Sequence, residues 1–341
     1  MKRKLIAIAI AAVMMMQAGC SDGGSDSSGS NSSSSEKVFL TLAASPSSAA
    51  IYPYWVAIAK GIQETYPEFS ITVSETQGSL DGTKRIRSGE SDLGNGIANT
   101  DLENYKGTGA FEGEPFPDAR LFWYYDATQY NIVVSKESGI TDLDGLTGEK
   151  FSSGGTGMTV SLITEDILDY LGVKPDYFDS GKTDAGEAVG NRQIVGIAAT
   201  GVVPDSFVMQ INAALPVNII DLPDDVRDKI IEQFPYMIKS EIPANTYEGI
   251  DYVVHNLSFY QGCQTTANLS QENGYKIVKA MNENGRQYWE STSASAAKQD
   301  VLEITLNSTI PLHAGTVQYM VEQGIDVPEH LIPPEYEFDS L

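Results

Sequence analysis

Apolar and polar positions divide the chain into three stretches. Leu5 to Met16 is an unbroken apolar run behind Lys2, Arg3 and Lys4, and Ser21 to Glu36 holds no apolar side chain. From Lys37 onward short apolar segments recur with strand and helix spacing. Val38 to Ala43 predicts a buried strand. Pro53 to Ile62 carries apolar residues at helical spacing, with Pro53 at the first turn where proline is tolerated. Phe69 to Thr76 alternates as a strand, Gly82 to Ser88 predicts a short helix, and Asp92 to Ala98 a further strand. The rhythm resumes with a strand at Asn131 to Val134, a short capped helix at Thr141 to Leu146 and a strand at Lys150 to Ser153. A helix from Val160 to Leu171 follows, stopped by Gly172. Ile194 to Ala199 predicts a strand, Ser206 to Ala214 a helix and Asp251 to Tyr260 a returning strand. Helices are expected from Ser270 to Trp289 and from Ala294 to Leu306. Alternating strands and helices imply parallel sheets covered by helices, with ligands taken at the carboxyl ends of the strands.

The first stretch has the grammar of an export signal, too short for a membrane-spanning helix. It ends in Gln17-Ala18-Gly19-Cys20, which resembles a bacterial lipobox with Gln17 where leucine is usual. Residues 1–19 are therefore expected to be a lipoprotein signal peptide, with Cys20 acylated by a palmitate-type anchor. Ordinary cleavage that leaves Cys20 unmodified is the alternative. Residues 20–36 can bury nothing and predict a flexible tether. Apart from Cys20 the chain has one cysteine, Cys263, so no disulfide framework is expected.

Taking 19 residues from 341 leaves 322, a length that suits two lobes. The formal charge of -24 becomes -27 without Lys2, Arg3 and Lys4. Such a surface repels nucleic acid, yet leaves open an anionic ligand held by local dipoles.

The glycine-rich loop Ser152 to Thr159 lies between a predicted strand and a predicted helix, where free N–H groups and the helix dipole favour an anion. No lysine follows its glycines, which excludes a nucleotide-phosphate loop, and their spacing is wrong for a dinucleotide fingerprint. A plain helix-capping loop is the alternative. Aromatics cluster near predicted loop ends at Tyr52, Tyr54 and Trp55 and again from Phe122 to Tyr125; some would wall a ligand slot and most would be core. His255, His313 and His330 are scattered without a second ligand at helical spacing, so no metal site is expected. No nucleophile elbow is present either, and no catalytic residue or cofactor is assigned. The simplest role for His313 is a hydrogen-bonded structural histidine.

Several ordered motifs resemble the TAXI family, the solute-binding subunits of TRAP (tripartite ATP-independent periplasmic) transporters. They are Tyr52-Pro53; Gln77-Gly78-Ser79 with Ser88 to Leu93; Asn99-Thr100-Asp101; Ser138-Gly139-Ile140 with Leu146-Thr147-Gly148; the glycine-rich loop; Ile242 to Gly249; and Ile310 to Gly315 with Tyr319, Glu322 and Gly324. The chain departs from the family in three places. Ser45 to Ala50 lacks the usual glycines, the glycine-rich loop departs from the family's Gly-Ser-Gly-Thr by a residue or two in register, and Asn191 to Gly196 stands where the family has Gly-Lys-Ile-Asp-Ala.

The resemblance implies an α/β, two-lobed periplasmic-binding-protein-like fold, with two open sheets flanked by helices and a ligand cleft between lobes. Lobe I would comprise residues 37–126 plus 251–341, and lobe II residues 127–250. The expected ligand residues are Ser47 and Tyr52 from the first loop, Ser79 and Asn99 from the next strand ends, and Thr156, Gly157 and Thr159 across the cleft. The threonines would donate hydroxyls, Gly157 its N–H, and Tyr52 an aromatic wall. The implied partners are a small organic acid (amino acid, 2-oxo acid or dicarboxylate) and TRAP integral-membrane permease subunits. A membrane would be reached through the anchor at Cys20. The protein is expected to be monomeric and to face the periplasm or cell exterior. A ligand-binding sensor for a signalling partner is the alternative function.

Overall fold

The computed structural model describes residues 37–47, 49, 51–156 and 158–338. The expected leader, the tether, Cys20 and Gly157 lie outside the described residues. The fold is α/β. Its first section runs β1 (Val38–Ala43), α1 (Tyr52–Thr65), β2 (Phe69–Ser74), α2 (Ser79–Ser88), β3 (Leu93–Ile97) and α3 (Ala98–Lys106). A 17-residue strand, β4 (Ala119–Ser135), leads into a second section. That section holds β5 (Lys150–Ser152), α4 (Thr159–Leu171), β6 (Asp176–Tyr177), α5 (Lys182–Gly190), β7 (Gly196–Gly201), α6 (Ser206–Ala214), β8 (Val217–Ile219), α7 (Asp224–Gln233) and β9 (Met237–Ile242). The long β10 (Val254–Thr266) returns, followed by α8 (Gln271–Asn282), α9 (Arg286–Trp289), α10 (Val301–Thr305) and α11 (Ala314–Glu322).

The strand order is β2-β1-β3-β10-β4-β7-β5-β6, with β8 on β4 and β9 on β10. The first three strands are mutually parallel, as are β5, β6 and β7. These are the two half-sheets expected from the alternation of strands and helices. They are joined into one ladder because β10 pairs with β3, β4 pairs with β7, and β4 and β10 pair antiparallel with each other. β4 is buried along nearly its whole length, with Tyr130, Ile132 and Val134 in one core cluster and Val133 in another. A strand buried on both faces shows a continuous apolar run instead of alternation. Phe122 to Tyr125, expected near loop ends, therefore sit inside β4 and are buried. The expected helix at Thr141 to Leu146 is a single 3-10 turn, Asp144–Leu146.

One core cluster joins Ala98 and Leu102 of α3 to Val160, Ile163 and Ile167 of α4 and to Tyr236, so the two sections pack together on that face. A second lies under α1 around Trp55, Trp123, Tyr125 and Trp289. A third holds α5 and α6 against β7. His313 caps α11: its Nδ1 accepts from Gly315 N–H at 3.1 Å, which leaves Nε2–H to donate to Leu269 O at 2.9 Å. Both ring nitrogens are thus engaged in the structural role expected of this residue.

Candidate functional site

The ladder registers locate a gap between opposed strand ends. The last residue of β3, Ile97, pairs with Gln261, which pairs with Asp126 of β4. The last residue of β7, Gly201, pairs with Gln129 of the same strand. β3 runs in the direction of β4 and β7 runs against it, so their carboxyl ends point at each other across Asp126 to Gln129. At about 3.3 Å rise per residue the two ends are offset by roughly 10 Å along β4, and they lie three strand spacings apart across the sheet. Because β1 and β2 lie alongside β3, and β5 and β6 alongside β7, α1 to α6 all start at these two edges.

The expected ligand residues lie on both sides of the gap. Ser47 is exposed in the β1–α1 loop, with its N–H donated to Glu75 Oε2 at 3.2 Å. Tyr52 is the first residue of α1 and half-buried against the core under that helix. Ser79 opens α2 and is buried. Asn99, near the start of α3, is buried with its Oδ1 3.5 Å from Thr100 Oγ1. On the far edge Thr159 is the first residue of α4 and half-buried. Thr156 is exposed, and both its N–H, at 2.9 Å, and its hydroxyl, at 3.3 Å, are donated to Ser180 O. Gly157 falls outside the described residues.

The glycines of this loop have a packing reason. A Cβ on Gly155, whose φ is +118°, would sit 2.9 Å from Lys182 N, and one on Gly154 would sit 3.0 Å from Ala198 O. The loop is therefore pressed onto β7 and the start of α5. Behind it Ser153 Oγ donates to Glu165 Oε1 at 2.7 Å, and Ser161 Oγ does so at 3.0 Å.

Sequence reasoning did not single out Lys182. It opens α5, where the helix dipole opposes a cation. Its ammonium lies over the Phe207 ring, 4.5 Å from the centroid, and forms no ion pair among the described residues. The floor of the gap was also missed. Tyr125 hydroxyl donates to Gln261 Oε1 at 2.8 Å, and Gln261 Nε2 donates to Thr128 Oγ1. Asp126 is buried and accepts from Ser295 Oγ at 2.5 Å; desolvation holds its carboxyl above the usual range against that bond. The aromatic runs had flagged Tyr125 and Trp55, but nothing local marked Asn95, Thr128 or Gln261.

Two concavities lie away from the gap. One of about 680 Å³ is bordered by Ser270, Tyr275 and Ala314, and one of about 480 Å³ lies between α5 and α6. Several residues near these strand ends, including Ser45, Asn95, Thr128 and Asp205, are buried. No group of histidine, cysteine and carboxylate residues suited to a metal occurs among the described residues. No helix among them is long and apolar enough to cross a membrane.

The fold is that of known binding proteins. A TctC solute-binding protein from Polaromonas superposes with a TM-score of 0.51 at 13% identity, over 77% of this chain and 88% of that one. The alkanesulfonate-binding protein SsuA from Xanthomonas axonopodis pv. citri, bound to MOPS, gives a TM-score of 0.43 at 12% identity, over 87% and 97%. An extracellular-binding protein of a probable amino-acid ABC transporter from Bacillus subtilis gives 0.46 at 11%, over 75% and 97%. At this identity the Polaromonas likeness establishes the architecture, and the other two add no argument. Residues 42–324 match the NMT1-like family, well over half of the sequence, and this chain belongs to that family.

Proposed function

We propose that this protein is an extracytoplasmic solute-binding protein of TAXI type. It would capture one small organic acid between two lobes and deliver it to the membrane subunits of a TRAP-type secondary transporter. The observation that carries the proposal is that two sets of strand carboxyl ends and helix amino ends face each other across Asp126 to Gln129. An acid's carboxylate would lie at the edge formed by Thr156, Gly157 and Thr159, beside Lys182. Ser47, Tyr52, Ser79 and Asn99 would border the other edge. The lobes would be residues 37–126 with 251–341 and residues 127–250, hinged where β4 and β10 pass between them. Cys20 would anchor the protein to the membrane.

A thermal-shift screen of the full-length protein against amino acids, 2-oxo acids, dicarboxylates, sugars and nucleosides tests the reading. A true ligand at one hundred times its Kd adds about 2.7 kcal/mol of apparent stability. A shift with sugars or nucleosides alone would overturn the organic-acid assignment. A folded protein stabilised by none of the five classes would overturn the solute-binding role.

A further inference from the structure

At the floor of the gap, acceptors outnumber donors. Tyr125 has one hydroxyl proton and two amide oxygens face it, Gln261 Oε1 at 2.8 Å and Asn95 Oδ1 at 3.3 Å. The nearer oxygen takes the proton, so Asn95 Oδ1 is left facing a lone pair. The Trp55 ring stands edge-on to the Tyr125 ring, with centroids 5.5 Å apart. The Trp55 Nε1–H is fully buried and has no hydrogen-bond partner. The other two tryptophans are satisfied: Trp123 Nε1 donates to Tyr54 Oη at 3.1 Å and Trp289 Nε1 to Met281 O at 2.9 Å. A buried donor is not left unmade without cost, and a bound solute is one group that can supply the partner. The nook therefore offers one free donor and one free acceptor. Its remaining groups are uncharged, apart from the neighbouring carboxyl of Asp126.

We propose that this nook receives the distal, uncharged polar group of the solute, a hydroxyl or a carboxamide, whose lone pair accepts from Trp55 Nε1 and whose proton goes to Asn95 Oδ1. The inference rests on the solute-binding reading and narrows it. The cargo is a small monocarboxylic acid with a neutral polar end. A second carboxylate brings no proton to Asn95 Oδ1 and is desolvated beside Asp126. A distal ammonium has no lone pair for Trp55.

Titration calorimetry of the full-length protein with matched acids tests this. The four-carbon set is 4-hydroxybutyrate, succinamate, succinate and 4-aminobutyrate; the five-carbon pair is L-glutamine and L-glutamate. Within a set, the neutral-ended acids should bind about tenfold or more tighter, the equivalent of one buried hydrogen bond. Equal or tighter binding of succinate, glutamate or 4-aminobutyrate would overturn the inference and leave the solute-binding reading standing. Binding of none of them, nor of any acid in the thermal-shift screen, would overturn both. A second measurement replaces the Trp55 indole N–H by the sulfur of its benzothiophene isostere, which keeps the ring shape. Affinity for the neutral-ended acid should fall about tenfold, while the unliganded melting temperature holds or rises because an unmade donor is gone. Unchanged affinity would remove Trp55 from the site.

Discussion

Asp101 supports the sharpest test of the energetics. It lies in the first turn of α3, fully buried, with neither carboxylate oxygen hydrogen-bonded. The carboxyl rests on Gly96, where an added Cβ would come within 2.7 Å of Oδ1. Two effects compete. The helix dipole favours an anion there by about 0.3–1 kcal/mol. Desolvation opposes it and wins, raising the pKa from 3.8 to about 8. The folded state therefore holds a proton that the unfolded chain releases above about pH 4. The sign follows: stability is greatest below the unfolded pKa and is lost as pH rises toward 8. At 1.36 kcal/mol per unit, the loss between pH 6 and pH 8 is about 2 kcal/mol. Asp101→Asn keeps the shape and cannot ionise. Urea denaturation of both proteins at pH 6, 7 and 8 should show the variant gaining about 2 kcal/mol on the wild type across that interval. Working with the difference cancels the other groups that titrate there. Parallel pH profiles would refute a protonated Asp101 and, with it, the claim that desolvation outweighs the dipole.

Other tests address packing and caps. Arg120 is 3% exposed, and its guanidinium donates to both oxygens of Glu335 at 2.7 and 2.8 Å, so Glu335→Ala strands a buried cation. Because Glu335 is partly solvated, the expected loss is about 2 kcal/mol, below the full range for a buried pair; an unchanged urea midpoint would contradict it. Burial lowers the His313 pKa from 6.5 to about 4, so the unfolded state takes up protons first and stability falls as pH drops through that interval. His313→Ala should cost about 2 kcal/mol at pH 7 through the lost cap and the lost tie to Leu269, and should flatten this acid limb; an unaltered limb in denaturation curves would rule it out. Gly61→Ala would set a Cβ 2.9 Å from Gly285 O where α1 meets α9. Overpacking of about 1–3 kcal/mol should exceed the helix-propensity gain of about 1 kcal/mol, and a raised melting temperature would show that α9 yields.

Elements with a periodic pattern were legible from the chain: β1 and α6 match their expected limits, and α4 differs by one residue at its start. α3 was not legible. Its sequence, ANTDLENYK, has no apolar stripe, and it buries Asn99, Thr100, Asp101 and Asn104 instead. Helical periodicity reports only apolar burial, so a helix that buries polar groups is invisible to it. The gap floor was hidden for another reason. Tyr125 and Gln261 are 136 residues apart and meet through strand pairing that no local pattern encodes. The glycine-rich loop stood out as a sequence, but the backbone its glycines make room for, Lys182 N and Ala198 O, lies far along the chain and was not legible.

The position of β10 bears on how the chain acquires its shape as it is made. This strand comes from the last third of the sequence, yet it lies between β3 and β4 and carries β9 on its other end. Until residue 266 has emerged from the ribosome, β3 has an open edge and β4 lacks its longest partner. The nascent chain therefore holds unpaired strands for most of its synthesis, with late, long-range closure of the ladder as the step that commits both halves at once. A chain cut short before β10 would keep the edge of β3 open and would be a fragment prone to sticking to its own copies.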